Sequence, residues 1–387
     1  MSARDVVIIG GGISGTAAAY ELARAGARVT LLEKGGLASM ASGWTLAGVR
    51  QSGRHPAELP LATAAVRRWE QLADELGTDV GYRQEGNLRL ARTPDEVPVI
   101  EALVREQRAQ GLEVTFLEGN AAVRAVAPAL AETIVAASHC PSDGHADPVA
   151  TVRAFAAAAQ RHGAVIRTDT RVIGLDVAGG RVRGVHTNAG PLAADAVIIA
   201  AGVHSDELCA LVGLELPITV RITGVVQTAP LPPLLRQVLG VANADFAGRQ
   251  QVDGRLRMSG SAGDWRWPNI DRTVGPEDVL PPARNVAAII ARGSAVLPAL
   301  AEARVTKVWA GLLDMTPDSL PVIERVPEIE GLIVAAGFSG HGFCLGPVTG
   351  RILCELVTGG RSSLPIEPFR RARLAGLSGT ANAELLG

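Results

Sequence analysis

A two-lobed α/β fold, with a Rossmann-like lobe and an α+β second lobe, is predicted by three features of the sequence. The apolar run Val6-Val-Ile-Ile9 leads through Gly10-Gly-Gly-Ile-Ser-Gly15 into a helical stretch, the start of a βαβ unit. Ala196-Val-Ile-Ile-Ala-Ala-Gly202 and Leu332-Ile-Val-Ala-Ala336 are apolar throughout, as strands covered on both faces of a parallel sheet are. Residues 84–146 and 219–262 instead mix short strands and loops, which makes them excursions from that sheet. At 387 residues, the chain is too long for one small core.

The elements follow in order. A helix is expected from Thr16 to Ala25, with Ala19, Leu22 and Ala23 on one face and Gly26 as its stop. Arg28-Val-Thr-Leu-Leu-Glu33 is the second strand. Leu61, Ala65, Trp69, Leu72 and Leu76 recur at helical spacing up to Gly77, and another helix lies near Val97–Gln110. Pro148 to His162 is helical and feeds the strand Ala164–Arg167. Arg171–Val177 and Arg181–Thr187 form a hairpin turning at Gly179-Gly180. Pro230, Pro232 and Pro233 forbid a central strand where they stand. A helix over Ala283–Val296 precedes the strand Arg304–Trp309, and the last helix runs from Gly346 to Val357. The division expected is 1–83, 147–218 and 304–374 for the nucleotide lobe, 84–146 and 219–303 for the second lobe, and a disordered tail over 375–387.

Composition excludes several classes. With 47% hydrophobic and 20% charged residues, the chain is neither disordered nor a coiled coil. A net charge of -2 gives no field to gather nucleic acid or an anionic membrane. Lys34 and Lys307 are the only lysines among 37 basic residues, the bias of a GC-rich genome. Cys140, Cys209, Cys344 and Cys354 are too scattered for a metal site and few enough for a reducing compartment. No apolar stretch is long enough for a membrane span, and the first residues lack a leader pattern, so a cytoplasmic protein is expected.

Gly10, Gly12 and Gly15 form G-x-G-x-x-G between a strand and a helix, and an acid, Glu33, ends the next strand. Gly10 permits the sharp turn, Gly12 admits a pyrophosphate close to the backbone, and Gly15 lets the helix pack on the strand. The helix start, at Ile13 and Ser14, offers amide donors and the positive end of the helix dipole. Glu33 suits ribose hydroxyls. These residues bind FAD or NAD.

Leu37 to Arg50 is too long and too rich in small residues for an ordinary βα loop. Here the chain resembles the D-amino-acid oxidase and glycine oxidase family of flavoenzymes. Asp143-Gly-His-Ala-Asp-Pro148, Ala200-Ala-Gly202, Trp309-Ala-Gly-Leu312 with Thr316-Pro-Asp318, and Gly337-Phe-Ser-Gly-His-Gly-Phe343 follow in the family's order. The resemblance implies a glutathione-reductase-type FAD domain with an inserted antiparallel substrate domain. It places Lys34, Ser39, Ala41, Ser42, Ala47 and Gly48 along the FAD, Val172 at the adenine, and Ala201 and Gly202 at a second turn. Gly340, His341, Gly342 and Phe343, with Cys344, match the loop at the flavin pyrimidine end, where helix-start amides stabilise negative charge. The family's cysteinyl flavin link falls near Gly311, and the Ser39–Ala47 loop has no histidine, so the FAD is expected to be noncovalent.

The chemistry implied is oxidation of an amine, with hydride transfer to flavin N5 and hydrolysis of the imine. An amino-acid-like carboxylate needs an arginine fork. Glycine oxidases carry one after Trp-Ala-Gly-Leu, where this chain has Leu313, and sarcosine oxidases have a lysine where Cys344 stands. Arg50, Arg54, His55, Arg249, Arg257 and Arg266 are the candidate replacements. Arg50 is the best placed, and it and His341 are the residues expected at the reacting end. Trp265 and Trp267 are candidates to line the pocket or pack in the core.

In sarcosine oxidases a lysine near N5 speeds reaction with oxygen. Met258 stands at that position here, on the substrate side, which implies a dehydrogenase that prefers a dye or a partner subunit. Leu313-Asp-Met-Thr-Pro-Asp318 and Gly48-Val-Arg-Gln51 are similar to FAD-bearing β subunits acting on proline, hydroxyproline, sarcosine or opines. A secondary-amine or opine-type dehydrogenase subunit, with a partner carrying further redox cofactors, is therefore expected. The alternatives are a stand-alone glycine or D-amino-acid oxidase releasing peroxide, and a partner-binding flavoprotein without turnover.

Overall fold

The computed structural model describes residues 4–264 and 279–377. One sheet has six strands in the order Val322–Arg325, Leu332–Ala336, Ala196–Ile199, Asp5–Ile9, Arg28–Leu32, Val165–Arg167. All its pairings are parallel except that of Val322–Arg325 with Leu332–Ala336. Its central strands are apolar because both faces are covered: Ile8, Leu31 and Ile198 face one core cluster, and Val7, Leu32 and Val197 the other.

On the first of these faces the helices Ile13–Arg24, Pro148–Arg161 and Gly342–Thr358 pack together. A Cβ at Gly346 would lie 2.3 Å from Ile13 Cγ1, and one at Gly350 would lie 2.5 Å from the Ala17 backbone. Glycine is needed at both points for the backbones to approach so closely. The contact sets the start of one helix beside the start of the other.

The second sheet has nine strands. Its order is Gly263–Asp264, Thr219–Pro230, Arg255–Gly260, Phe246–Gln250, Val238–Val241, Asn87–Ala91, Ala136–Cys140, Thr115–Glu118, with Val305–Met315 on the other edge of Thr219–Pro230. The two excursions meet where Val238–Val241 pairs parallel with Asn87–Ala91. The helix Ala283–Val296 covers a core containing Leu88, Leu90, Val226, Phe246 and Met258. Thr219–Pro230 ends at its proline, as the missing amide requires.

Several elements differ from expectation. The first helix starts at Ile13 rather than Thr16, with Gly12 as its N-cap. The Leu61–Leu76 stripe is two helices, Leu59–Trp69 and Leu72–Leu76, the latter ended by Gly77 at φ +68°. Gly190–Ala193 adds a third strand to the hairpin. The last helix starts at Gly342 and carries Pro347 inside it. Pro347 lacks the amide that would bond the Phe343 carbonyl, and the helix runs on through it. The strand expected to end at Trp309 continues to Met315 and pairs along Thr219–Thr228. It is therefore part of the larger sheet, although the division drawn at 304 counted it with the nucleotide lobe. The tail beyond residue 377, with Trp265, Arg266 and Trp267, lies outside the described residues.

Candidate active site

One continuous cleft runs from Glu33 and Lys34, past Ser39, Ala41, Ser42, Val172, Ala201 and Gly202, to Gly340–Phe343. Its first wall is the start of the helix Ile13–Arg24. Gly10 has φ +119°, and a Cβ there would lie 2.3 Å from the Ala200 carbonyl oxygen. The Gly11 and Gly35 amides donate to the two Glu33 carboxylate oxygens at 2.7 and 2.8 Å, which fixes the acid while leaving lone pairs for hydroxyls. The Ile13 amide donates to Ser42 Oγ at 3.0 Å, and a Cβ at Gly12 would sit 3.0 Å from that oxygen. The Gly12 and Ser14 amides find no acceptor among the described residues. Unpaired helix-start amides, a turn with no room for side chains and an anchored strand-end acid fit the dinucleotide of FAD. At the same end, Lys34 Nζ lies 2.7 Å from His204 Nε2.

Three of the residues expected on the cofactor, Gly15, Ala47 and Cys344, do not line the cleft. Gly15 faces the strand, where a Cβ would meet the Gly10 carbonyl oxygen at 2.0 Å. Ala47 is fully buried at φ +56°, with its amide on Thr45 Oγ1. Gly15 and Ala47 shape the turns that hold their neighbours in place. Gly48 and Gly311 do line the cleft.

The far end is the start of the helix Gly342–Thr358. Buried Asp314 accepts from the Gly337 and Phe338 amides at 2.7 and 3.3 Å, and burial pushes its carboxyl up to about 6. His341 N–H donates back to the Phe338 carbonyl at 2.8 Å, closing the turn. His341 Nδ1 then lies 2.9 Å from Glu58 Oε2. Burial, with Arg54 beside it, holds the His341 imidazole below its ordinary value, and so neutral. Burial would raise the Glu58 carboxyl, but His341 and Arg54 outweigh that and hold it low, as a carboxylate. The imidazole therefore donates from Nδ1. The Gly342 and Phe343 amides have no acceptor among the described residues.

Arg50 enters from the side. The ribbon formed by Gly48–Val49 and Gly144–His145 delivers it to the cleft. Buried Asp143 pins the next residues by accepting from the Gln51 amide at 2.8 Å and from Ser52. No acceptor among the described residues hydrogen-bonds the Arg50 guanidinium. Burial, then Arg54 and Arg89, pushes it down to about 9. Arg54 also lines the cleft, and its Nη1 is buried without a partner. Arg89 Nη2 is in the same condition.

The remaining candidates separate clearly. Cys344 is in the first turn of the last helix, facing away from the cleft. Its thiol donates to the Arg50 carbonyl at 3.3 Å, and burial pushes it up to about 11. His55 is exposed and accepts the Ala57 amide within its own turn. Arg249 is buried as a clamp, donating to the Leu46 and Ala146 carbonyls and lying 3.0 Å from His145 Nδ1, so all three of its nitrogens are engaged by the protein, and it does not line the cleft. Met258 packs in the core of the larger sheet, 2% exposed. Its neighbour Arg257 is on the opposite face, stacked on the Trp309 ring at 5.2 Å, with Lys307 at 5.3 Å. Leu313 lines the cleft and brings no charge. Glu58 and Arg89 were not anticipated; an arginine between Leu88 and Leu90 in a half-buried strand was the available signal for the second.

Residues 5–356 match the FAD dependent oxidoreductase (DAO) family. The chain is 31% identical to glycine oxidase of Geobacillus kaustophilus, over 97% of this chain and 98% of that one. It is 28% identical to sarcosine oxidase subunit beta of an Arthrobacter species, over 95% and 90%. L-proline dehydrogenase of P. horikoshii superposes with a TM-score of 0.88 at 28% identity, covering 96% of this chain and 98% of that one. With its cleft, its glycine turn and this match over most of its length, the chain belongs to the DAO family of FAD-dependent oxidoreductases.

Proposed function

We propose that the protein oxidises the C–N bond of an amine carboxylate, an amino acid or a secondary amine of the proline, hydroxyproline, sarcosine or opine kind. The observation that carries this reading is Arg50, a guanidinium in the cleft with no protein acceptor. Bound FAD supplies the two-electron oxidation, after which water hydrolyses the imine.

The rest is the work of this chain's residues. Arg50 holds the carboxylate and so orients the adjacent carbon. The positive charge of Arg50, Arg54 and Arg89 disfavours an ammonium nearby and so keeps the amine neutral, the form that can be oxidised. The start of the helix Gly342–Thr358 favours negative charge at its end of the cleft. Glu58 holds the neutral His341 ring in one tautomer and orientation. No side chain is required as a base.

The likeness to sarcosine oxidase subunit beta supports a partner subunit, and four free cysteines support a reducing, cytoplasmic setting. Among the described residues, no helix is long and apolar enough to cross a membrane. A second reading, a stand-alone oxidase releasing peroxide, is favoured by Arg257, a cation whose Nη1 donates at 3.1 Å to the carbonyl of Thr45, a residue of the cleft wall. Steady-state turnover with a dye and with oxygen, over glycine, sarcosine, proline, hydroxyproline, D-amino acids and opines, tests both. Turnover of none of them would refute the proposal.

A further inference from the structure

Three successive backbone carbonyls of one cleft-lining loop are each taken by a side chain of the larger sheet. Trp309 Nε1 donates to the Trp44 carbonyl and Arg257 Nη1 to the Thr45 carbonyl, both at 3.1 Å, and Arg249 Nε donates to the Leu46 carbonyl. The donors stand on the strands Val305–Met315, Arg255–Gly260 and Phe246–Gln250. Arg249 and Arg257 are directly opposite one another in their strand pair, and neither has an ion-pair partner among the described residues. Like charges so placed are destabilising, and their bonds to the loop offset that cost.

The amides on the far side of these peptide units differ. A trans peptide points its N–H away from its C=O. In the units Trp44–Thr45 and Thr45–Leu46 the carbonyl is held by the sheet, and the N–H has no acceptor among the described residues. In the unit Leu46–Ala47 the N–H is taken by Thr45 Oγ1 at 3.0 Å. Trp44, Thr45 and Leu46 all line the cleft. They follow Ser42, whose Oγ is at the helix start that fits the pyrophosphate, so they border the stretch into which the flavin ring extends. A peptide whose carbonyl accepts from a cation is polarised, and its N–H becomes a stronger donor. Of the two unpaired units, Thr45–Leu46 is the one with a charged donor behind it.

We propose that Arg257 is a positioning residue that acts through the Thr45–Leu46 peptide, presenting a polarised Leu46 N–H to the flavin ring and so stabilising the reduced, electron-rich form of the ring. Trp309 supports the same wall with a neutral donor and carries the Arg257 guanidinium over its ring at 5.2 Å. The inference needs bound FAD and no particular amine.

Reductive titration of the FAD-loaded protein against a reference dye measures the midpoint potential with no substrate present. Arg257→Met and Arg257→Gln, each checked for full FAD content, should both shift the equilibrium toward oxidised flavin by about tenfold, which is about 30 mV for a two-electron couple. Arg257→Lys keeps the charge and should shift it far less. Arg249→Met removes an equal charge from the facing strand, but the carbonyl it releases belongs to the unit whose N–H is already engaged, so it too should shift the potential far less. An unchanged potential in both neutral variants of Arg257 would overturn the inference. So would a fall in Arg257→Lys or in Arg249→Met as large as that in Arg257→Met.

Discussion

His341 Nδ1 stands 2.9 Å from Glu58 Oε2, with the two side chains 5% and 0% exposed. This contact ties the start of the last helix, at the far end of the cleft from Glu33, to the start of the helix Leu59–Trp69. It also has a definite dependence on pH. Glu58 is held below its ordinary value of 4.5, so its stabilising contribution is complete above that pH and drains away as pH falls through the lower folded value. His341 is held below 6.5, so in acid the unfolded chain takes up the proton first and stability falls further.

Glu58→Gln should cost about 1–3 kcal/mol at pH 7, the range for a weakened buried hydrogen bond. Thermal melts of both proteins from pH 7 to pH 4 check this. The gap should be widest at neutral pH and close below the ordinary carboxylate value. A gap that widens in acid would show that the pair carries no such linkage.

Gly12→Val should give colourless protein, because a side chain there runs into Ser42 Oγ and fills the space above the helix start. In the unmodified protein, heat or acid should release the yellow chromophore into the supernatant. Colour retained on the precipitated chain would show a covalent link.

Gly346→Ala places a methyl 2.3 Å from Ile13 Cγ1. Overpacking of this kind costs about 1–3 kcal/mol. The two helix starts would separate, so FAD affinity, measured by fluorescence titration, should fall with the melting temperature. A loss of stability with unchanged FAD affinity would show that the crossing does not position the cofactor.

Much of the nucleotide end was legible because its logic is local. Gly10, Gly12, Ile13, Ser14 and Glu33 lie on consecutive elements whose periods announce them, and the cleft includes all five. The substrate end was not, because there the neighbours come from distant segments. Arg249 follows Gly248 and Arg50 follows Gly48-Val49 in sequence, yet one is held by the Leu46 and Ala146 carbonyls and the other is not. In Arg255–Gly260, one residue of parity separates a core methionine from an arginine on the Trp309 face. By its motif Cys344 belongs to a loop, but its place inside the first helical turn directs its thiol to the Arg50 carbonyl.

Arg50→Met should lower turnover over the Michaelis constant by more than tenfold, because truncating a buried charge partner typically costs about 2–5 kcal/mol. It should not lower the melting temperature, since the guanidinium is desolvated beside Arg54 and Arg89. Lost stability with unchanged kinetics would make Arg50 a structural residue.

Oxidation of an amine held by its carboxylate is tested most directly by anaerobic bleaching of the bound flavin. Each amine carboxylate is mixed with the FAD-loaded protein alongside its decarboxylated counterpart, such as proline beside pyrrolidine and sarcosine beside dimethylamine. At least one carboxylate is expected to bleach the flavin absorbance while its counterpart leaves it oxidised. A flavin bleached equally by both members of every reacting pair, or by no member of any, would contradict it.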